Sequence, residues 1–99
     1  MTSGDAPAEP PLVRDIAIVN KRGLHARASA QFVQTAERFD ATITVTKDQT
    51  VVAGTSIMDL MMLAAGPGSV IRVTAEGKDA AAALAALEAL IASHFGEEE

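Results

Sequence analysis

Ala41-Thr42-Ile43-Thr44-Val45-Thr46-Lys47 alternates apolar and polar residues as far as Thr46. In an extended chain Ile43 and Val45 fall on one side, and Thr42, Thr44 and Thr46 on the other. Such a strand is half buried, with one dry face and one wet face. Asp48-Gln49 follows as a two-residue hairpin turn without the usual glycine, and leads into a second extended run, Thr50 to Ala53, which Gly54 ends. A hairpin with one polar face belongs to an antiparallel sheet covered on one side only.

The flanking segments supply that cover. Leu12 to Val19 reads as a strand with Ile16 and Ile18 on one face, and Asn20-Lys21-Arg22-Gly23 breaks it. Ala26 to Phe39 carries Phe32, Val33, Ala36 and Phe39 at helical spacing. Ser56 to Ala65 reads as a short helix capped by Ser56 and stopped by Gly66-Pro67-Gly68. Val70 to Ala75 is a further strand. Asp79 to Phe95 is an Ala-rich helix with Leu84, Leu87, Ile91 and Phe95 on one stripe. The order β-α-β-β-α-β-α predicts an α+β domain over residues 12–96, with an antiparallel sheet and helices on one face. The Pro- and Ala-rich stretch Met1 to Pro11 reads as a disordered leader, and Glu97 to Glu99 as a solvated acidic tail.

Bulk properties narrow the function. A net charge of −5 disfavours a nucleic-acid partner. The absence of cysteine removes disulfides and thiolate chemistry. Two histidines, His25 and His94, do not make a metal cluster. No apolar run approaches the ~20 residues that span a bilayer. The expectation is a cytoplasmic monomer with no cofactor, no metal and no membrane insertion.

Gly23-Leu24-His25-Ala26-Arg27 lies where a strand-like run gives way to a helix. Gly23 permits a tight turn there. Neither Leu24 nor His25 is a usual capping residue, so the N–H groups of Ala26, Arg27 and Ala28 are expected to be open to an anion. His25 is the nucleophile at that position, and a neutral imidazole attacks phosphorus. Arg27 brings a fixed cation with several donors for phosphate oxygens. Lys21 and Arg22 add local positive charge, whereas His94, near the end of the last helix, is assigned no function. The helix Ile57-Met58-Asp59-Leu60-Met61-Met62-Leu63 is apolar nearly all round. A short helix buries one face, so part of Ile57, Met58, Met61 and Met62 is expected at the surface, as a patch suited to several partners. Ser56 reads as an N-cap and also as a candidate phosphorylation site beside that patch.

At these residues the chain resembles HPr, the histidine-containing phosphocarrier of the phosphoenolpyruvate-dependent phosphotransferase system. The resemblance runs from about Val13 to Phe95 and rests on Gly-Leu-His-Ala-Arg at residues 23–27 and Gly-Thr-Ser-Ile-Met at residues 54–58. It implies an open-faced β-sandwich of four antiparallel strands with three helices on one face. It implies a carrier rather than a catalyst: His25 takes a phosphoryl group on Nδ1 from Enzyme I, and Arg27 assists delivery to EIIA-type acceptors. It further implies that Ser56 is the target of HPr kinase/phosphorylase, and that Ile57, Met58 and Met61 form the docking patch. Ala28 stands where the family usually has proline, leaving one more donor and a looser first turn. Asp59 would repel a phosphate on Ser56. Gln34 and Glu37 replace lysines found in some relatives. The acidic surface and Met-rich helix resemble the nitrogen-related regulatory branch more than the sugar-uptake branch. The alternative is a regulatory binding module switched at Ser56, with His25 unused.

Overall fold

The computed structural model describes residues 10–97. Most of the expected leader, residues 1–9, and the end of the expected tail, residues 98–99, lie outside them. The elements follow the order β1 (Leu12–Ala17), α1 (Ala26–Ala36), β2 (Thr42–Lys47), β3 (Thr50–Ala53), α2 (Ile57–Met62), β4 (Val70–Glu76) and α3 (Ala80–Ala92), closed by a single 3-10 turn at His94–Gly96. The strands form one antiparallel sheet in the order β1-β4-β2-β3.

The alternation of β2 decides which side of the sheet is covered. Ile43 and Val45 are buried, while Thr42 is exposed and Thr44 and Thr46 half-buried. Ile71, Val73 and Ala75 of β4 repeat the pattern with Arg72 exposed between them. All three helices pack on this apolar face, an open-faced sandwich. Phe32 and Val33 of α1, Leu60 of α2, and Leu84, Leu87 and Ile91 of α3 meet the strand residues in one core. Each such side chain contributes roughly 1.5–3 kcal/mol by leaving water. On the open face Asp15 and Arg72 stand opposite each other in the β1–β4 register. Their two hydrogen bonds, 2.9 and 3.2 Å, hold the Asp15 carboxyl below its usual range. Both are exposed, so the pair fixes register more than it stabilises.

β1, α1, α2 and α3 are shorter than the apolar periodicity suggests, and in the helices each shortfall has a local cause. β1 ends at Ala17 rather than Val19, yet Ile18 keeps hydrogen bonds to Ser69 and Gly68 across the next turn. α1 ends at Ala36 rather than Phe39, because Arg38 and Phe39 tighten into bonds to Thr35 and Ala36. Phe39 still packs against the core. α2 spans Ile57–Met62 and stops before Ala65 because Ala64 turns left-handed, with φ 53°. The hairpin turn without glycine is made by Asp48 at φ 56°, a conformation aspartate tolerates better than most residues. α3 stops at Ala92 rather than Phe95. Ser93 Oγ donates to Leu90 O at 2.7 Å, and His94, Phe95 and Gly96 then take φ of 59°, 54° and 73° in succession. That left-handed turn still buries Phe95, and it carries the chain back toward the start of α1.

Phe32, fully buried between α1 and the sheet, is the test of this packing. Phe32→Ala is expected to cost about 3–5 kcal/mol, read as a lower urea midpoint with an unchanged slope. A loss under ~1 kcal/mol would contradict the core described.

Candidate functional site

The loop between β1 and α1 is fastened at every residue that matters. Asn20 is fully buried and donates from Nδ2 to Gly23 O at 3.0 Å, while Gly23 N–H returns a bond to Asn20 O at 3.2 Å. Gly23 sits at φ 66°. A Cβ there would meet Ala65 O at 2.3 Å, so both backbone angle and space demand glycine. Leu24 N–H donates to Ala65 O at 2.9 Å, tying the loop to the segment that follows α2. Ser29, buried in α1, donates from Oγ to Leu24 O at 3.1 Å. His25 is thus presented by a rigid turn, adjacent to α2.

His25 is the N-cap of α1, in extended backbone with φ −72° and ψ −179°. Its ring does what a serine oxygen usually does: Nδ1 accepts from Arg27 N–H at 3.2 Å. This corrects the expectation of an uncapped amide cluster at Ala26, Arg27 and Ala28. The Arg27 N–H is met, and it is met by the candidate nucleophile itself. Helix geometry leaves the Ala26 and Ala28 N–H groups without intrahelical acceptors. Ala28 is fully buried at the third helical position, where the family proline was absent.

The other ring nitrogen, Nε2, bonds to Glu97 Oε2, and Glu97 Oε1 accepts from Asn20 Nδ2 at 3.1 Å. Only about one-sixth of either side chain, His25 or Glu97, is exposed. The solvated tail expected from the sequence therefore does not hold at Glu97, whose carboxylate is docked in the site. Since Nδ1 accepts, the ring proton resides on Nε2 and is donated to Glu97. Asn20, Ser29 and Glu97 were not singled out by sequence reasoning. Asn20 gives one faint signal, a polar residue directly following an apolar strand. Glu97 gives none, because 72 residues separate it from His25.

Arg22 and Arg27, both exposed, line a shallow open cavity of about 360 Å³ with Gln31, Phe95, Gly96 and Glu97. The arrangement offers an imidazole nitrogen at a helix mouth, with Arg22 and Arg27 along the cavity that its partner Glu97 lines, a setting for a transient anion. No group of His, Cys, Asp and Glu among the described residues is arranged to hold a metal ion. No helix among the described residues is long and apolar enough to cross a membrane. The patch on α2 is at the surface as expected: Ile57 is 39%, Met58 73%, Met61 41% and Met62 78% exposed. Ser56 caps α2, its Oγ accepting from Asp59 N–H at 3.3 Å.

The Glu97 carboxyl is held below its ordinary value of 4.5, first by the hydrogen bond from His25, then by Asn20 and by the charges of His25 and Arg22, against an opposing effect of burial. A depressed carboxyl stabilises the fold above its unfolded value and loses that contribution as pH falls through the folded one. The tail contact is therefore expected to release only in the acid range below about 4.5. The Glu97 carboxyl carbon shift, followed by NMR, reports it. A midpoint at or above the ordinary glutamate value would rule the contact out.

Comparisons with known proteins show the family. A family model described as "PTS HPr component phosphorylation site" matches residues 12–93. The phosphocarrier protein HPr of Neisseria meningitidis is 52% identical over 88 residues, covering 89% of this chain and 99% of the relative. The phosphocarrier protein NPr of Shewanella violacea is 41% identical over 86 residues, covering 87% of this chain and 94% of its own. The crystal structure of HPr-C-His from Thermoanaerobacter tengcongensis superposes with a TM-score of 0.85 at 48% identity, covering 89% of this chain and 99% of that one. Likeness of this extent in sequence and backbone alike makes the chain a member of the HPr family, the phosphocarriers of the phosphotransferase system.

Proposed function

We propose that this phosphocarrier works by reversible phosphorylation of His25 on Nδ1, taking the group from Enzyme I and passing it to acceptors of the EIIA type. One observation carries the reading: the Nδ1 lone pair of His25 is aimed at the mouth of α1, on the Arg27 N–H. Attack by Nδ1 forms an N–P bond while the bond from phosphorus to the donor breaks. The Arg27 N–H then has a phosphate oxygen to bond in place of the nitrogen, and the Ala26 and Ala28 amides have the same opportunity. The macrodipole favours the added negative charge by roughly 0.3–1 kcal/mol at an exposed site. Arg27 adds a charge-assisted contact and screens the group as it moves on.

Recognition falls to the apolar surface of α2. Leu24 is bonded to Ala65, just beyond α2, which ties the histidine loop to the helix that exposes Ile57, Met58 and Met61. Methionine side chains adapt to differently shaped partners, which suits a carrier that meets donor and acceptors on one face. Enzyme I and EIIA-type proteins are the partners this reading requires, and a soluble cytoplasmic setting is where they meet. Ser56 extends it. Phosphorylation there by HPr kinase/phosphorylase would suit the helix N-terminus but set charge beside Ile57 and Met58, opposing docking.

Incubation with Enzyme I and phosphoenolpyruvate is expected to add one acid-labile, base-stable phosphate, mapped to His25 by mass spectrometry. His25→Ala removes the label while the fold survives. Arg27→Ala keeps the site but slows transfer about ten- to a hundredfold. Persistence of the label in His25→Ala would defeat the proposal. Met58→Asp is expected to raise KM for Enzyme I at least about tenfold, a loss of ~1.4 kcal/mol in docking, with little change in kcat. An unchanged KM would remove α2 from the interface.

A further inference from the structure

We propose that Glu97 is a positioning residue for His25: it holds the Nε2 proton, so that Nδ1 stays unprotonated and faces the helix mouth. The inference rests on the reading of His25 as the phosphoryl acceptor. Either imidazole nitrogen can be a nucleophile, and the one that lacks the proton is the one that attacks. Here both nitrogens are engaged, and in complementary senses. Arg27 N–H donates to Nδ1, so the proton sits on Nε2, and Nε2 meets Glu97 Oε2. A carboxylate accepting from the far nitrogen of a reactive histidine sets its tautomer and its ring orientation, and favours the positive charge the ring develops as it attacks.

The carboxylate is itself held. Its second oxygen accepts from Nδ2 of Asn20, which is fully buried and also grips Gly23 O. Asn20, Glu97 and His25 therefore form one chain of hydrogen bonds that starts in the turn presenting the histidine. The backbone is shaped to complete it. His94, Phe95 and Gly96 are consecutive left-handed residues, an unfavourable run for side chains other than glycine. Phe95, buried, anchors the turn. A negative group beside a phosphoryl acceptor would repel its substrate, and Arg22 and Arg27 along the same cavity oppose that repulsion.

The test uses the full chain with Glu97→Ala, Glu97→Gln and Glu97→Asp, all of which retain Phe95. In the unphosphorylated wild type, ¹⁵N-edited NMR is expected to show a slowly exchanging Nε2–H on His25 and a Nδ1 shift typical of an unprotonated nitrogen accepting a bond. Glu97→Ala is expected to expose the Nε2 proton to rapid exchange, to raise the minor tautomer severalfold, and to lower kcat for phosphorylation by Enzyme I about tenfold or more with KM unchanged. Glu97→Gln, whose amide oxygen still accepts, is expected to keep the ring signature in large part, and Glu97→Asp to recover only part of the rate. Unchanged ring signals and kcat in Glu97→Ala overturn the inference while the phosphohistidine reading stands. Loss of the label from His25 in the wild type would instead remove that reading, and the ring signals would still report whether Glu97 sets the tautomer.

Discussion

The hydrogen bond from Arg27 N–H to Nδ1 of His25 joins the fold of this protein to its chemistry. A helix needs a cap, and a phosphocarrier needs a nucleophile that is oriented yet not consumed by the orienting contact. On the proposed function, one imidazole serves both ends. The bond would exchange for one to a phosphate oxygen, and the donor it frees would be the donor that a phosphohistidine needs. The same position would stabilise the helix better with serine or aspartate, which fits a histidine kept there for reactivity rather than for capping strength.

Most of what fixes this bond lies outside the helix. Gly23 lets the loop turn against Ala65, Leu24 is bonded to the same carbonyl, and Ser29 ties the first turn back to Leu24. The sheet's contribution is indirect. Its apolar face holds α1 and α3 side by side, which brings the last turn of the chain over the first helix's N-terminus. A one-sided sheet is thus more than a way of burying few residues. It leaves the start of α1 beside the segments that follow α2 and α3, where parts of the chain distant in sequence meet.

How far the sequence reached can be followed residue by residue. The strict alternation of β2 and the helical spacing of Phe32, Val33 and Ala36 were legible because burial imposes period on sequence. The Gly-Leu-His-Ala-Arg stretch was legible because a turn, a nucleophile and a cation stand within a few residues of one another. The exposed face of α2 followed from an excess of apolar residues over what one face can bury. The ends of α2 and α3 were not legible: Ala64, His94 and Phe95 take left-handed angles that their side chains do not advertise. Glu97 was read as tail because acidic C-terminal runs are commonly solvated. Its contact with His25 depends on the angle at which α3 ends, a property of tertiary packing with no local pattern.

The reach of Glu97 to His25 gives the segment after α3 a second task. It follows three left-handed residues in succession, so its position depends on a turn that side chains resist. A nick or an insertion between Ser93 and Glu97 would disturb the imidazole as well as the turn. Apparent defects in a preparation altered there would then belong to that contact, not to the fold.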